Sequence, residues 1–240
     1  MGDRLVTARR MMAEAVGGAA PEHQLMEAAR GLVAELGAPD FLPELITELA
    51  SGAGETAACA ARSYGHVLGF QKLLLIDDGP GQKLRAHVWQ PISDSAGREQ
   101  DIHNHRSPIA SCVVRGRLSM ELYEPSADGG IDIAAYQESL SVRDADWMLA
   151  PRGPARLRLA HTAHYARGAS YALAAHTLHR AWCGAAEGAV TLLLETGSER
   201  LAHTDVYSPS TSHAARVRKV PLTEDEYLTA LTALSGTLGP

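Results

Sequence analysis

Cysteine is scarce in this chain: three residues in 240, at positions 59, 112 and 183. They are odd in number, far apart and without a C-x-x-C pair, which fits reduced thiols in a cytoplasmic protein and not a disulfide framework. No apolar run approaches the ~18 residues of a membrane-spanning helix. The opening Met1-Gly2-Asp3-Arg4-Leu5 lacks the apolar centre of a signal peptide. Basic charge is not in excess either. Lys and Arg number 22 against 28 Asp and Glu, a net charge of −6, so the clustered basic face that nucleic acid requires is not expected. The one short basic run, Arg216-Val217-Arg218-Lys219, reads as a solvated strand end. These absences leave a protein that meets small molecules, as a monomer or homodimer, with no nucleic-acid or membrane partner.

What the chain does contain changes character along its length. Residues 4–58 read as helices. Leu25, Met26, Ala29, Leu32, Val33 and Leu36 recur at steps of three and four, and Gly37-Ala38-Pro39 ends that run. Residues 41–49 form a second such segment, closed by Ser51-Gly52-Ala53-Gly54. From about Tyr64 the pattern shifts to short β-prone runs at 72–76, 85–89, 110–114, 117–123, 131–137, 156–159, 170–174 and 190–195. Turn clusters such as Asp77–Gly81 and Ala127–Gly130 separate them. About eight short strands so punctuated predict a sandwich or barrel. Thr223-Glu224-Asp225-Glu226 is a capping-box sequence opening a final helix over 225–234. The division expected is a helical extension over 1–58 and a barrel with a C-terminal helix over 59–240.

Chemistry concentrates at Gly97-Arg98-Glu99-Gln100-Asp101-Ile102-His103-Asn104-His105. Residues two apart on a strand project from one face, so His103 and His105 can address one ion. Imidazole pairs of this kind suit zinc, copper, iron or nickel. His179 and His176, three residues apart, are competing third ligands, and on a regular strand they face opposite ways. His161 and His164 read as surface residues or as residues that support the ligands from behind, and His87 as either a pocket or a core histidine.

Gly97, His103, His105 and Gly116 fall in register with the first motif of the cupin family, and Gly168 and His179 with its second. The chain therefore resembles a cupin over 97–183, with Ile109 where that motif usually carries a glutamate ligand. The nearest resemblance is to the cysteine dioxygenase-like branch. It rests on Ile102-His103-Asn104-His105, His87-Val88-Trp89-Gln90-Pro91, Gly116-x-Leu118-x-x-Glu121-Leu122-Tyr123, and Tyr171 with Leu178-His179-Arg180.

That resemblance implies a mainly β fold, a cupin jelly-roll barrel with an N-terminal helical extension and a short C-terminal helix. It implies non-heme iron, Fe(2+), held by His103, His105 and His179, and a dioxygenase or related oxygenase acting on a small polar substrate with O2. Tyr64 and His66 occupy the positions of the branch's tyrosine and carboxylate-binding arginine and are the implied catalytic pair. Histidine in place of that arginine, and Ile109 in place of a crosslinking cysteine, separate the scaffold from the branch's usual substrate. Arg62, Arg85, Arg106 and Arg180 are candidate cations for an anionic substrate. A three-histidine oxygenase acting on a non-thiol chelating metabolite, or a cupin that binds a metal or small molecule without catalysis, are the alternatives.

Overall fold

The computed structural model of the protein describes residues 3–18, 20–79, 82–92, 100–141, 146–184, 187–197 and 201–238. Gly97, the first glycine of the resemblance, lies outside them. Four helices come first: α1 (Asp3–Val16), α2 (Glu22–Leu36), α3 (Leu42–Ala50) and α4 (Thr56–Ala60). Thirteen strands follow among the described residues. They are β1 (Tyr64–Gly65), β2 (Phe70–Asp77), β3 (Lys83–Trp89), β4 (Ile102–His103), β5 (Ile109–Arg115), β6 (Arg117–Pro125) and β7 (Ile131–Leu140). Then come β8 (Trp147–Ala166), β9 (Ser170–Leu173), β10 (Leu178–Cys183), β11 (Ala189–Glu195), β12 (Thr204–Ser208) and β13 (Arg216–Val217). Helix α5 (Glu224–Leu238) ends the fold.

The strands form two antiparallel sheets. One runs β1-β2-β3-β11-β5-β9, the other β13-β8-β6-β10-β4-β12-β7, with β7 also pairing β8. In the first sheet both faces are buried, which explains why β2, β5 and β11 read as nearly continuous apolar runs. Leu73, Leu84, Ala86, Ala110, Cys112, Leu192 and Leu194 pack outward against α1–α5 in one core. Phe70, Trp89, Ile109, Val113 and Leu193 pack inward against Leu118, Met120, Ala181 and Cys183 of the second sheet. That inner core is the interior of a jelly roll. A third cluster, Ile102, Tyr123, Ile133, Leu157 and Leu178, backs the second sheet on its other side. The fold is mainly β with helices at both ends of the chain.

Differences from the sequence reading have local causes. β8 runs unbroken for 20 residues, where only 156–159 reads as a strand, and it contains Pro151, Gly153 and Pro154, residue types that interrupt strands. A register shift opposite Ala135/Tyr136 absorbs them, and Gly153 takes a φ of 94° that suits glycine. The final helix is longer than expected, and its capping box closes reciprocally. Glu226 N–H donates to Thr223 Oγ1 at 3.2 Å, and Thr223 N–H to the Glu226 carboxylate at 2.8 Å. The basic run is not simply solvated, since Arg216 pairs with Asp146 and Lys219 Nζ sits 4.4 Å from the Trp147 ring centroid.

Leu75 is the extra residue of a bulge in β2, and Leu74 takes partners off the ladder. Its N–H donates to Ser63 Oγ at 2.9 Å, and its carbonyl accepts the buried Tyr227 hydroxyl at 2.6 Å. Tyr227→Phe thus removes a buried partner of that carbonyl. It is expected to cost about 1–3 kcal/mol, read as a fall in Tm without a change in fold.

Candidate metal centre

His103 on β4 and His179 on β10 are directly opposed across an antiparallel pair. Their side chains therefore leave the sheet side by side. His179 shares its face with Ala181 and Cys183 of the inner core, so both rings enter the barrel. His105 lies two residues beyond His103, and its N–H donates to the Ala175 carbonyl at 2.9 Å. The three ring centroids stand 4.6, 4.9 and 5.3 Å apart, and one nitrogen from each lies within 4.8 Å of the others. Among the described residues this is the one group of three or more His, Cys, Asp or Glu side chains so disposed.

Neighbouring bonds fix which nitrogen faces the centre. His103 Nδ1 is 3.4 Å from the Asp101 carbonyl, and His179 Nδ1 is 3.3 Å from the Thr177 carbonyl. A carbonyl only accepts, so each ring carries its proton on Nδ1 and leaves the Nε2 lone pair for an ion. His105 Nε2 is buried with no hydrogen-bond partner among the described residues. An orphaned buried imidazole nitrogen beside two lone pairs is the donor set a divalent ion requires, so these side chains fit a mononuclear metal.

Asn104, between His103 and His105, faces the other way. Its Nδ2 donates to the Asp205 carboxylate at 3.0 Å and its Oδ1 accepts the Asp205 N–H at 2.8 Å. These bonds clamp the two-residue β4 to β12, where a pair so short has little ladder to hold it. Asn104→Ala is expected to weaken metal binding by about tenfold or more, as loss of an outer partner does elsewhere, with the fold retained by circular dichroism.

The imidazoles are held neutral. Burial lowers the pKa of His103, drives those of His66, His87 and His105 well below the ordinary histidine value, and brings His179 to about 3. Each folded-state value lies below the unfolded one, so the unfolded chain binds more protons. The stability these residues contribute is complete above about pH 6.5 and is lost as pH falls through that value. The metal-free protein should therefore lose stability from about pH 6.5 downward, by up to about 1.4 kcal/mol per pH unit per histidine. Thermal melts between pH 7.5 and 5 check this. A flat Tm over that range would contradict it.

The other candidates sort by position. His176 is exposed in the turn before β10, and His161 and His164 are exposed on β8. Ile109 lines the interior with hydrocarbon. Arg85, Arg106 and Arg180 are each ion-paired, to Glu195 at 2.5 Å, Glu138 at 2.5 Å and Glu121 at 2.6 Å. The exposed Arg62 pairs with Asp77. Tyr64 and His66 do lie together, their ring centroids 6.1 Å apart, both edge-on to Trp147. Burial pushes the Tyr64 phenol up to about 12, so it stays protonated. His66 Nδ1 accepts the Leu68 N–H at 3.3 Å, which puts the ring proton on Nε2.

No protein-family model matches the chain, and no curated protein matches it in sequence. Solved structures match it in part. Fe(II)-HppE with the alternative substrate (S)-1-HPP is 11% identical over 53% of this chain and 49% of that one, with a TM-score of 0.35. Hydroquinone 1,2-dioxygenase PnpCD, in complex with Cd2+ and 4-hydroxybenzonitrile, is 13% identical over 63% and 71%, at 0.32. The DMSP lyases RdDddP and RnDddQII give 15% over 54% and 48%, at 0.33. The chain thus spans about half the length of the first and third of these. Likenesses this distant assign no activity, and the chemistry of the site rests on its own side chains. No helix among the described residues is long and apolar enough to cross a membrane.

Proposed function

We propose that the protein is a non-heme iron(II)-dependent oxygenase of the cysteine dioxygenase-like cupin type. His103, His105 and His179 are the ligands, and a small polar, chelating substrate reacts with O2. The observation that carries this reading is the meeting of three neutral imidazoles inside the barrel with no carboxylate among them. Bound iron(II) would keep its full double charge there and supply a centre at which an anionic substrate and dioxygen meet.

The chain's own groups do the rest. Ile109, Leu193 and Met120 exclude water from the interior, which raises the strength of every charge pairing within it. Tyr64 holds a phenolic proton at any pH near neutrality and can donate it as a hydrogen bond without releasing it. His66, stacked on Phe70 at 4.5 Å, presents Nε2–H from a fixed ring. Tyr64→Phe is expected to lower turnover by roughly tenfold or more, the lower range for a positioned donor, and to leave iron content unchanged.

The experiment is oxygen uptake by the iron-loaded protein against thiols, amino acids and diketones. Uptake with a chelating anion supports the proposal, and thiols against non-thiols fix its finer class. No uptake with any compound, together with tightly held zinc in the native protein, would overturn it.

A further inference from the structure

The pairing of β7 with β8 ends at Ile131 and Leu157. From Arg158 to Ala166, β8 pairs with β6 on one side, and no other described residue takes its free backbone edge. The strands that end the sheets elsewhere, β1, β9 and β13, are two, four and two residues long, too short to template another chain. A long edge is normally guarded by charge, proline or a cover. Here Arg158 and Arg167 frame eight residues, 159–166, that hold no Lys, Arg, Asp, Glu, Pro or Gly. Six of the eight are exposed, and they come from both faces of the strand.

We propose that this edge docks a second copy of the same chain, antiparallel about a two-fold axis at Ala163, so that the histidine-bearing sheet continues from one protomer into its partner. The inference concerns assembly and stands apart from the chemistry of the metal centre.

Two features favour a second copy over any other strand. The first is the order of side chains about Ala163. Beyond the irregularity at Ala160, Tyr165, Ala163 and His161 oppose Leu118, Met120 and Leu122 on the inner side, and His164 and Thr162 oppose Ser119 and Glu121 on the outer side. Antiparallel partners must share a face. A two-fold at Ala163 satisfies this, setting Thr162 against the partner's His164, His161 against the partner's Tyr165, and small Ala163 against itself. Ser119 Oγ already holds His164 Nδ1 at 3.1 Å, which leaves Nε2 to meet the Thr162 hydroxyl. The second feature is charge. Arg115, Arg117 and Arg167 are exposed at the C-terminal end of the edge, where Arg117 pairs with Ala166, and none has an ion-pair partner among the described residues. At the other end Glu124 and Asp132, 58% and 76% exposed beside Arg158 and Arg156, are joined by Asp128, one carboxylate in excess of the two arginines. Antiparallel self-pairing brings the arginine end of each copy to the carboxylate end of the other, twice in one interface. It also lays the Arg167 stem near Leu159, which is 48% exposed in one groove with Ile131.

So short an edge is a small contact, and a dimer of micromolar or weaker affinity is expected. Sedimentation equilibrium of the full chain, from micromolar to millimolar concentration, should approach twice the 25.5 kDa chain mass. Thr162→Lys supplies the charge that the edge lacks. It should weaken association about tenfold per contact and, because the two-fold repeats the contact, about a hundredfold per dimer, with the fold retained by circular dichroism. Arg167→Glu should also weaken the dimer, and Arg167→Glu combined with Glu124→Arg should restore it. The three natural cysteines are buried, so Ala163→Cys offers one accessible thiol per chain, and a short bis-maleimide should join two chains through it. A chain that stays monomeric at millimolar concentration, leaving the edge to some other strand, overturns the inference. A dimer that ignores Thr162→Lys, or that Ala163→Cys does not cross-link, uses another face and overturns it equally.

Discussion

His179→Ala is expected to abolish stoichiometric metal binding and with it any oxygen uptake, whereas His176→Ala, His161→Ala and His164→Ala leave both intact. The contrast follows from placement. His179 is 4% exposed and faces His103 across the strand pair, while the other three are exposed. Removing one of three neutral ligands leaves two imidazoles and water, and because the remaining rings are already held by the Asp101 carbonyl and the strand register, they cannot shift to compensate. Loss of occupancy of a hundredfold or more is the expected scale, beyond the ~10–100-fold that loss of an outer partner produces. Metal content by mass spectrometry after gel filtration reads it directly. Retention of metal by His179→Ala with loss in His176→Ala would reassign the third ligand.

The second large effect concerns stability. Arg85 is 8% exposed, and its guanidinium meets Glu195 at 2.5 Å on the inner side of the helix-covered sheet. Both residues lie on strands paired in register, β3 and β11. Glu195→Leu strands a buried cation and is expected to cost about 3–5 kcal/mol, whereas the double change Arg85→Met with Glu195→Leu should be near neutral or stabilising. Urea titrations of both variants check this. A loss below about 1 kcal/mol in the single variant would show that water reaches the pair as at a surface site.

How much of this was legible beforehand differs by element. The His103–His105 pair could be read because strand periodicity alone sets its geometry. His179 needed the family register, since spacing by itself left His176 as a rival; the structure separates them by ending the turn at Thr177 and starting β10 at Leu178. Strands β2, β3, β5, β6 and β11 were visible as apolar runs, yet those runs did not show that one sheet is covered on both faces. That depends on helices far away in sequence. β8 was hidden by its prolines, and β12 by its polarity, although β12 is the strand that clamps Asn104. The inward placement of Lys72 was not legible either, because it follows from its pairing with His87 on β3 and from the face it shares with Phe70 of the inner core. The arginines drew attention as cations, and their carboxylate partners lie too far along the chain for spacing to reveal them.

Anaerobic titration of the metal-free protein with iron(II) tests the central claim most directly, followed through X-ray absorption at the iron edge. The account predicts one saturable site per chain, with three imidazole nitrogens and the remaining positions filled by water oxygen. A protein with no saturable site, or one whose site survives replacement of His103, His105 and His179 together, would contradict it.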